Sequence, residues 1–149
     1  MMFLSTLLLA ALPAALAATP TPPALTHLFS VNLTFSDPIS IGSVPYGSRD
    51  LLFISGGTFA GPKLSGKVTG GLDWGLTDTK GVFSPDAVYA LQTTDNATIA
   101  VFERGFAPHV HILFETASEK YAWLNTAVAY AGGGPAEGGV SLDVWQIGA

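Results

Sequence analysis

Six glycines fall within Gly56–Trp74 (GGTFAGPKLSGKVTGGLDW), yet Phe59, Leu64, Val68, Leu72 and Trp74 keep an apolar residue every few positions. An ordinary linker has no reason to keep that spacing. Glycines inside a strand-like pattern mark bulges, sharp bends or places where another group approaches the backbone closely. The run therefore predicts a curved sheet that lines a cavity.

The neighbouring sequence reads as strands too. In Leu28–Phe35, Phe29, Val31, Leu33 and Phe35 alternate with Ser30, Asn32 and Thr34, the period of a half-buried strand. Asp37-Pro38 breaks it, Ile39–Val44 follows, and Pro45-Tyr46-Gly47 turns into Arg49–Phe59. Lys63–Leu72 and Trp74–Thr77 continue to a turn at Asp78–Gly81. Ala87–Thr94 and Thr98–Phe106 flank Asp95-Asn96, a hairpin signal, and His109–Thr116 alternates again. Glu119–Thr126 has the one plausible helical turn. Ala127–Ala131, a glycine-rich loop at Gly132–Gly139 and a strand at Val140–Ile147 complete the pattern. The reading is an all-β chain, a single closed antiparallel β-barrel of about eight or nine strands. With no ordinary helix to cover an edge and no disulfide, closure is the simplest way to remove sheet edges.

The barrel is expected over residues 28–149. Met1–Leu12 is apolar apart from Ser5 and Thr6, and Ala15-Leu16-Ala17 has the small-x-small pattern of a cleavage site, so residues 1–17 read as a signal peptide. Residues 18–27, with Thr19–Pro23, read as a disordered mature N-terminus. Asn32-Leu33-Thr34 and Asn96-Ala97-Thr98 are glycosylation acceptors and agree with a secreted or secretory-lumen location. After signal removal no stable membrane insertion is expected.

Six basic and eleven acidic residues give a net charge of −5, with no basic cluster, which argues against nucleic acid and anionic membranes as partners. The absence of cysteine excludes thiol catalysis, thiolate metal sites and redox switching. Oligomeric state stays open.

Candidate chemistry is sparse. His109, His111, Leu113 and Glu115 share one strand face. They suit either a metal set or a solvated face. Glu115 is a long reach from His111 for one ion, so no metal is assigned. Asp73, beside Trp74, is either a general acid–base raised in pKa by apolar walls or a turn residue capping backbone amides. Glu115 has the same two readings. Arg49 and Arg104, the two arginines, are oxygen-binding donors or rim charges. Tyr46, Tyr89, Tyr121, Trp123 and Trp145 suffice to wall an apolar pocket or to pack a core. There is no Gly-x-Ser-x-Gly elbow, phosphate loop or His-Glu-x-x-His.

Several segments resemble the family catalogued as domain of unknown function 3237, in its secreted fungal branch. They are Pro45–Arg49, Gly56–Gly66, Gly71–Trp74, Asp86–Tyr89, Thr94-Asp95, Phe114–Thr116 and Tyr121–Asn125. The resemblance spans Leu28 to Ile147 and implies a compact lipocalin-like or allene-oxide-cyclase-like barrel. Asn96 stands where the family usually has glycine, and the chain is short between Gly105 and Phe114. Similar small barrels imply cofactor-independent cyclisation of an apolar secondary metabolite, by dehydration to a reactive intermediate and hetero-Diels–Alder-type closure. The matching positions nominate Arg49 to polarise an oxygen and Asp73 or Glu115 to move a proton. Trp74, Tyr89 and Trp123 would form walls, with His111 beside them. The alternatives are a non-catalytic carrier and a surface interaction protein. Register decides among these residues, because a slip of one position exchanges inside for outside.

Overall fold

The computed structural model describes residues 19–148. The expected signal peptide lies outside the described residues. Ten strands are present among the described residues: β1 (Leu25–Phe35), β2 (Ile39–Val44), β3 (Gly47–Ala60), β4 (Ser65–Thr77), β5 (Phe83–Ser84), β6 (Asp86–Thr93), β7 (Thr98–Phe106), β8 (His109–Glu115), β9 (Ala129–Ala136) and β10 (Gly139–Ile147). All pair antiparallel. Eight of them close a barrel in the order β3-β1-β10-β9-β8-β7-β6-β4, sealed by the β3–β4 pairing. The short strands β2 and β5 extend β3 and β4 outside the closed ring.

The glycine-rich run is the β3–β4 hairpin. Register shifts between Thr34 and Phe35 and between Val68 and Gly70 place bulges beside Gly56-Gly57 and Gly70-Gly71. Gly57 and Gly70 sit at φ 139° and 141°, a region that side chains disfavour. The glycines thus supply the corners that closure requires.

Three local expectations change. β1 begins at Leu25, where Leu25 to His27 pair with Trp145 to Ile147, so order starts earlier than the expected Leu28. The stretches expected as Lys63–Leu72 and Trp74–Thr77 form one continuous strand, Ser65–Thr77. The glycine-rich stretch Gly132–Gly139 is no loop: Gly132 to Ala136 pair with β10 across a tight turn at Glu137-Gly138. Backbone hydrogen bonds need no side chain, and β10 offers a complete partner strand. Asn96 takes the left-handed φ of 67°, the conformation for which glycine is ordinarily chosen and asparagine is the next best residue.

Inward-facing residues form one core, including Phe29, Val31, Leu91, Ile99, Val101 and Ile112. Phe29 meets Phe59 and Phe114 edge-on, with centroids 5.5 and 6.2 Å apart. The expected helical turn is a 3₁₀ helix, Glu119–Thr126, inserted between β8 and β9. It plugs one barrel end with Tyr121 and Leu124, both buried. Its anchor is polar: Tyr121 Oη and Lys120 Nζ donate to Asp95 at 3.0 and 2.6 Å, and Thr93 Oγ1 donates to the same carboxylate at 2.6 Å. No helix among the described residues is long and apolar enough to cross a membrane.

Candidate active site

The other end of the barrel stays open. There the backbone brings together the end of β4, the start of β6 and the end of β7. Asp73 pairs with Leu52 of β3 on one side and Ala87 of β6 on the other, and Ala87 pairs with Glu103 of β7. Residues directly opposite on neighbouring strands share a face. Asp73 and Glu103 therefore both point inward, two strands or roughly 10 Å apart around the wall. Ala87 between them is too small to fill the gap.

Glycine makes this arrangement possible on β4. Asp73 lies between Gly71 and Gly75 on the inner face. A Cβ at Gly71 would lie 2.4 Å from Tyr89 Cβ, and one at Gly75 would lie 2.6 Å from the Phe83 ring. The missing side chains let Tyr89 pack behind Asp73 and Phe83 pack over the rim.

The two carboxyls are only 5% and 6% exposed. Asp73 Oδ1 accepts the Asp86 backbone N–H at 2.8 Å, and Glu103 Oε2 accepts the Tyr89 hydroxyl at 3.3 Å. Burial pushes the Glu103 pKa up to about 7; the Asp73 charge pushes the same way and the Tyr89 hydrogen bond opposes. Burial also raises Asp73. The Asp86 N–H opposes that rise, the Asp86 carboxylate adds to it, and the Arg49 charge opposes it. Tyr89 is held as the neutral phenol by burial and by the adjacent Glu103. Glu103 is thus poised to carry a proton at neutral pH, beside an aspartate with a backbone N–H to support its charge. Divergent environments for two carboxyls are how a site separates acid from base.

Both line a cavity of about 350 Å³. Its walls are aliphatic and aromatic, with Leu33, Phe35, Leu52, Ile54, Val110 and Leu142 prominent, and its rim holds Phe83, Pro85, Pro108 and Pro135. Backbone bonds stitch the rim together: Ala107 N–H donates to Phe83 O at 2.9 Å and Gly133 N–H to Pro108 O at 3.3 Å. Ala107 and Pro108, just after Gly105, are therefore part of this rim.

Of the residues nominated from sequence, Asp73 alone lines the cavity. Tyr89 stands behind it and reaches it through Glu103. Trp74 follows Asp73 directly and so points to the outer face, where it is 45% exposed. Arg49 is also on the outside; its Nη1 donates to Trp74 O at 2.7 Å. Glu115 and His111 lie on the exposed face of β8, whose buried face is Val110, Ile112 and Phe114. Trp123 sits on the 3₁₀ helix at the closed end with Lys63 Nζ 5.3 Å from its ring centroid. Strand register thus does not bring Arg49, Trp74, His111, Glu115 and Trp123 together around Asp73. Among the described residues no three His, Asp or Glu side chains converge as a metal set.

Glu103, which also lines the cavity, was not among the nominated residues. Its signal is in the alternation of TIAVFERGF: Ile99, Val101 and Glu103 are in phase, which puts a carboxylate on a buried face. Such a group must be paired, protonated or turned toward a cavity.

Similar proteins share this fold. The chain is 40% identical over 134 residues to the hydroalkoxylation enzyme phnH of Penicillium herquei, covering 89% of each. A crystal structure of an enzyme from Penicillium herquei matches with a TM-score of 0.81 and 38% identity, covering 89% of this chain and 99% of that one. A β-barrel-like protein from Acinetobacter baumannii AYE also matches with a TM-score of 0.81, at 28% identity over 88% of this chain and 99% of that one. A family model described as a protein of unknown function, DUF3237, matches residues 23–110. On this evidence the chain belongs to the DUF3237 family.

Proposed function

We propose that this barrel is a cofactor-independent cyclase of secondary metabolism that adds a hydroxyl across an alkene within one apolar molecule. The observation that carries the reading is the Asp73–Glu103 pair in an apolar-walled cavity. The name of the Penicillium herquei relative points to the same reaction type. In the proposed step Glu103 delivers its proton to one alkene carbon, and the π pair becomes the new C–H bond. Positive charge develops on the other carbon, which takes the hydroxyl oxygen's lone pair. Asp73 accepts the hydroxyl proton. One O–H and one π bond are exchanged for one C–O and one C–H bond, and exchange with solvent returns the proton to Glu103. Proton transfer of this kind contributes about 10²–10⁴-fold. Holding oxygen and alkene in contact supplies up to roughly 7–11 kcal/mol. The secretory route and glycosylation remain part of the proposal; Asn96, at an exposed hairpin tip, and Asn32, exposed on β1, are the acceptor positions.

A second reading uses the same proton differently. Glu103 would protonate a leaving hydroxyl, and the dehydrated intermediate would close by hetero-Diels–Alder cycloaddition. Solvent deuterium separates the two. Alkenyl phenols and alcohols incubated with the protein in D₂O should give a cyclic ether of unchanged formula carrying one deuterium beside the new C–O carbon. An adduct lighter by one water and free of deuterium would replace addition by dehydration and cycloaddition. Binding without any product would reduce the barrel to a carrier.

A further inference from the structure

We propose that the mouth cavity is also a binding site for protonated amines with compact apolar bodies, the ammonium N–H seated between Asp73 and Glu103. The proposal rests on the cavity of the proposed reaction but not on turnover.

The cavity's polar side chains are both carboxyls. Among its lining residues the charged or hydrogen-bonding side chains are Asp73 and Glu103, with no Lys, Arg or His. The cations nearby are committed elsewhere. Arg49 bonds Trp74 O on the outer face, and Arg104 Nε bonds Asp86 Oδ1 at 2.7 Å, also outside. Against the two carboxyls from within the wall stand Asp50 and Leu52 of β3, Ala87 and Tyr89 of β6, and Ile112 of β8, of which Asp50, opposite Gly75, and Tyr89 can ionise; the Asp86 carboxylate and the Arg49 charge act on Asp73 from outside, in opposite senses. One oxygen of each carboxyl is bonded in the wall, Oδ1 of Asp73 and Oε2 of Glu103, which leaves the other for a guest. An anionic or acceptor-rich guest finds no donor here beyond the Glu103 proton. A cation finds charge that burial has left poorly solvated, where charge-assisted hydrogen bonds are strongest. The volume of about 350 Å³ is at the small end of ligand pockets, enough for one or two rings.

A cation held at this position favours the ionised form of Glu103, so its binding expels the proton that Glu103 otherwise keeps near neutrality. Affinity for an amine therefore rises from pH 6 to pH 8, whereas affinity for a neutral guest of the same shape does not.

Calorimetric titration of the folded protein with three probes of matched shape tests this: N-benzylpiperidine, a cation; N-benzoylpiperidine, neutral; and cyclohexylphenylacetate, an anion. The amine should bind at pH 8 at least about tenfold tighter than the amide, and the anion weakest of all. The amine should weaken on going to pH 6. In the Asp73→Asn, Glu103→Gln double variant the amine should lose its advantage while the amide keeps its affinity. Equal affinities for amine and amide in the native protein, or an amine that binds no more weakly at pH 6, would overturn the proposal without any variant having to fold. An amine preference with no ether formation would leave this site standing and remove the proposed reaction; ether formation with no amine preference would do the reverse.

Discussion

The two ends of the barrel use aspartate and glutamate in opposite ways. At the closed end Asp95 is solvent-exposed and bonded by Lys120, Thr93 and Tyr121, which hold its carboxyl well below the usual range. At the open end Asp73 and Glu103 are buried, each has a single hydrogen-bond donor, and both are raised. Donors saturate the first carboxylate, and its role is to pin the 3₁₀ helix. The second pair carries an unmet demand for a proton or a cation. A fold that can satisfy one carboxylate so completely has kept two others poorly satisfied, and uncompensated buried charge of this kind gathers at functional sites.

The sharpest way to break this contrast is to remove the proton carrier. Glu103→Gln keeps the shape and the hydrogen bond from Tyr89 while abolishing titration. Turnover of an alkenyl alcohol should fall by about 10²–10⁴-fold, measured as kcat/KM. The variant should fold at least as well as the native protein above neutral pH. Unchanged kcat/KM would remove Glu103 from the chemistry.

The closed end should answer to packing. Leu124, on the inner side of the 3₁₀ helix, is fully buried, and Leu124→Ala should cost about 2–5 kcal/mol in urea unfolding. The amine and amide probes should still bind the folded variant as before, because the cavity is at the opposite end. A large loss of binding in folded Leu124→Ala would mean that the two ends are coupled.

Acidity separates the ends by sign. Glu103 binds its proton more tightly folded, at about 7, than its ordinary value of 4.5. Its contribution to stability is complete below the ordinary value and is lost as pH rises through about 7. The shift corresponds to about 3 kcal/mol. Asp73 acts in the same direction. Asp95 is the reverse: its contribution is present above the ordinary carboxylate range and is lost as pH falls through the lowered folded value. Unfolding free energies from pH 5 to 8 should fall for the native protein and stay flatter for Glu103→Gln. Parallel curves would show that Glu103 is no more protonated in the fold than outside it.

What was legible in the sequence follows the same division. Period-two alternation marks the strands, and the Gly56–Trp74 run marks the bend, because both are local constraints on backbone and burial. Asp73, which lines the cavity, was singled out because it sits inside that run. Its neighbour Trp74 was assigned to the same wall although adjacent strand residues face opposite ways. Glu115, His111 and Arg49 lie outside the cavity for a related reason: which face of a strand is the lumen follows from its pairing with other strands, such as His111 with Tyr130 of β9 and Arg49 with Leu76 of β4. Glu103 was readable from its phase with Ile99 and Val101, but its meeting with Asp73 required knowing that β6 lies between β4 and β7. The ordering of Gly132–Ala136 was hidden because glycine carries no burial pattern; the partner strand alone determines it.

The smallest expected effect tests whether the closed-end charge is structural. Lys120 is exposed, and its ion pair with Asp95 spans 2.6 Å with both side chains open to solvent. Exposed pairs contribute little, since water already solvates both charges and ordering the long side chain costs entropy. Lys120→Met removes the charge and keeps much of the stem that packs near the Tyr121 ring, whose centroid lies 5.1 Å from Lys120 Nζ. Asp95 retains Thr93 and Tyr121 as donors, so the helix should stay in place. A slight lowering of the urea midpoint at low salt should shrink further as salt screens the native pair, with turnover unchanged throughout. If Lys120→Met instead lowered kcat/KM as far as Glu103→Gln, the plugged end would belong to the catalytic apparatus, and the division of labour between the two ends would fail.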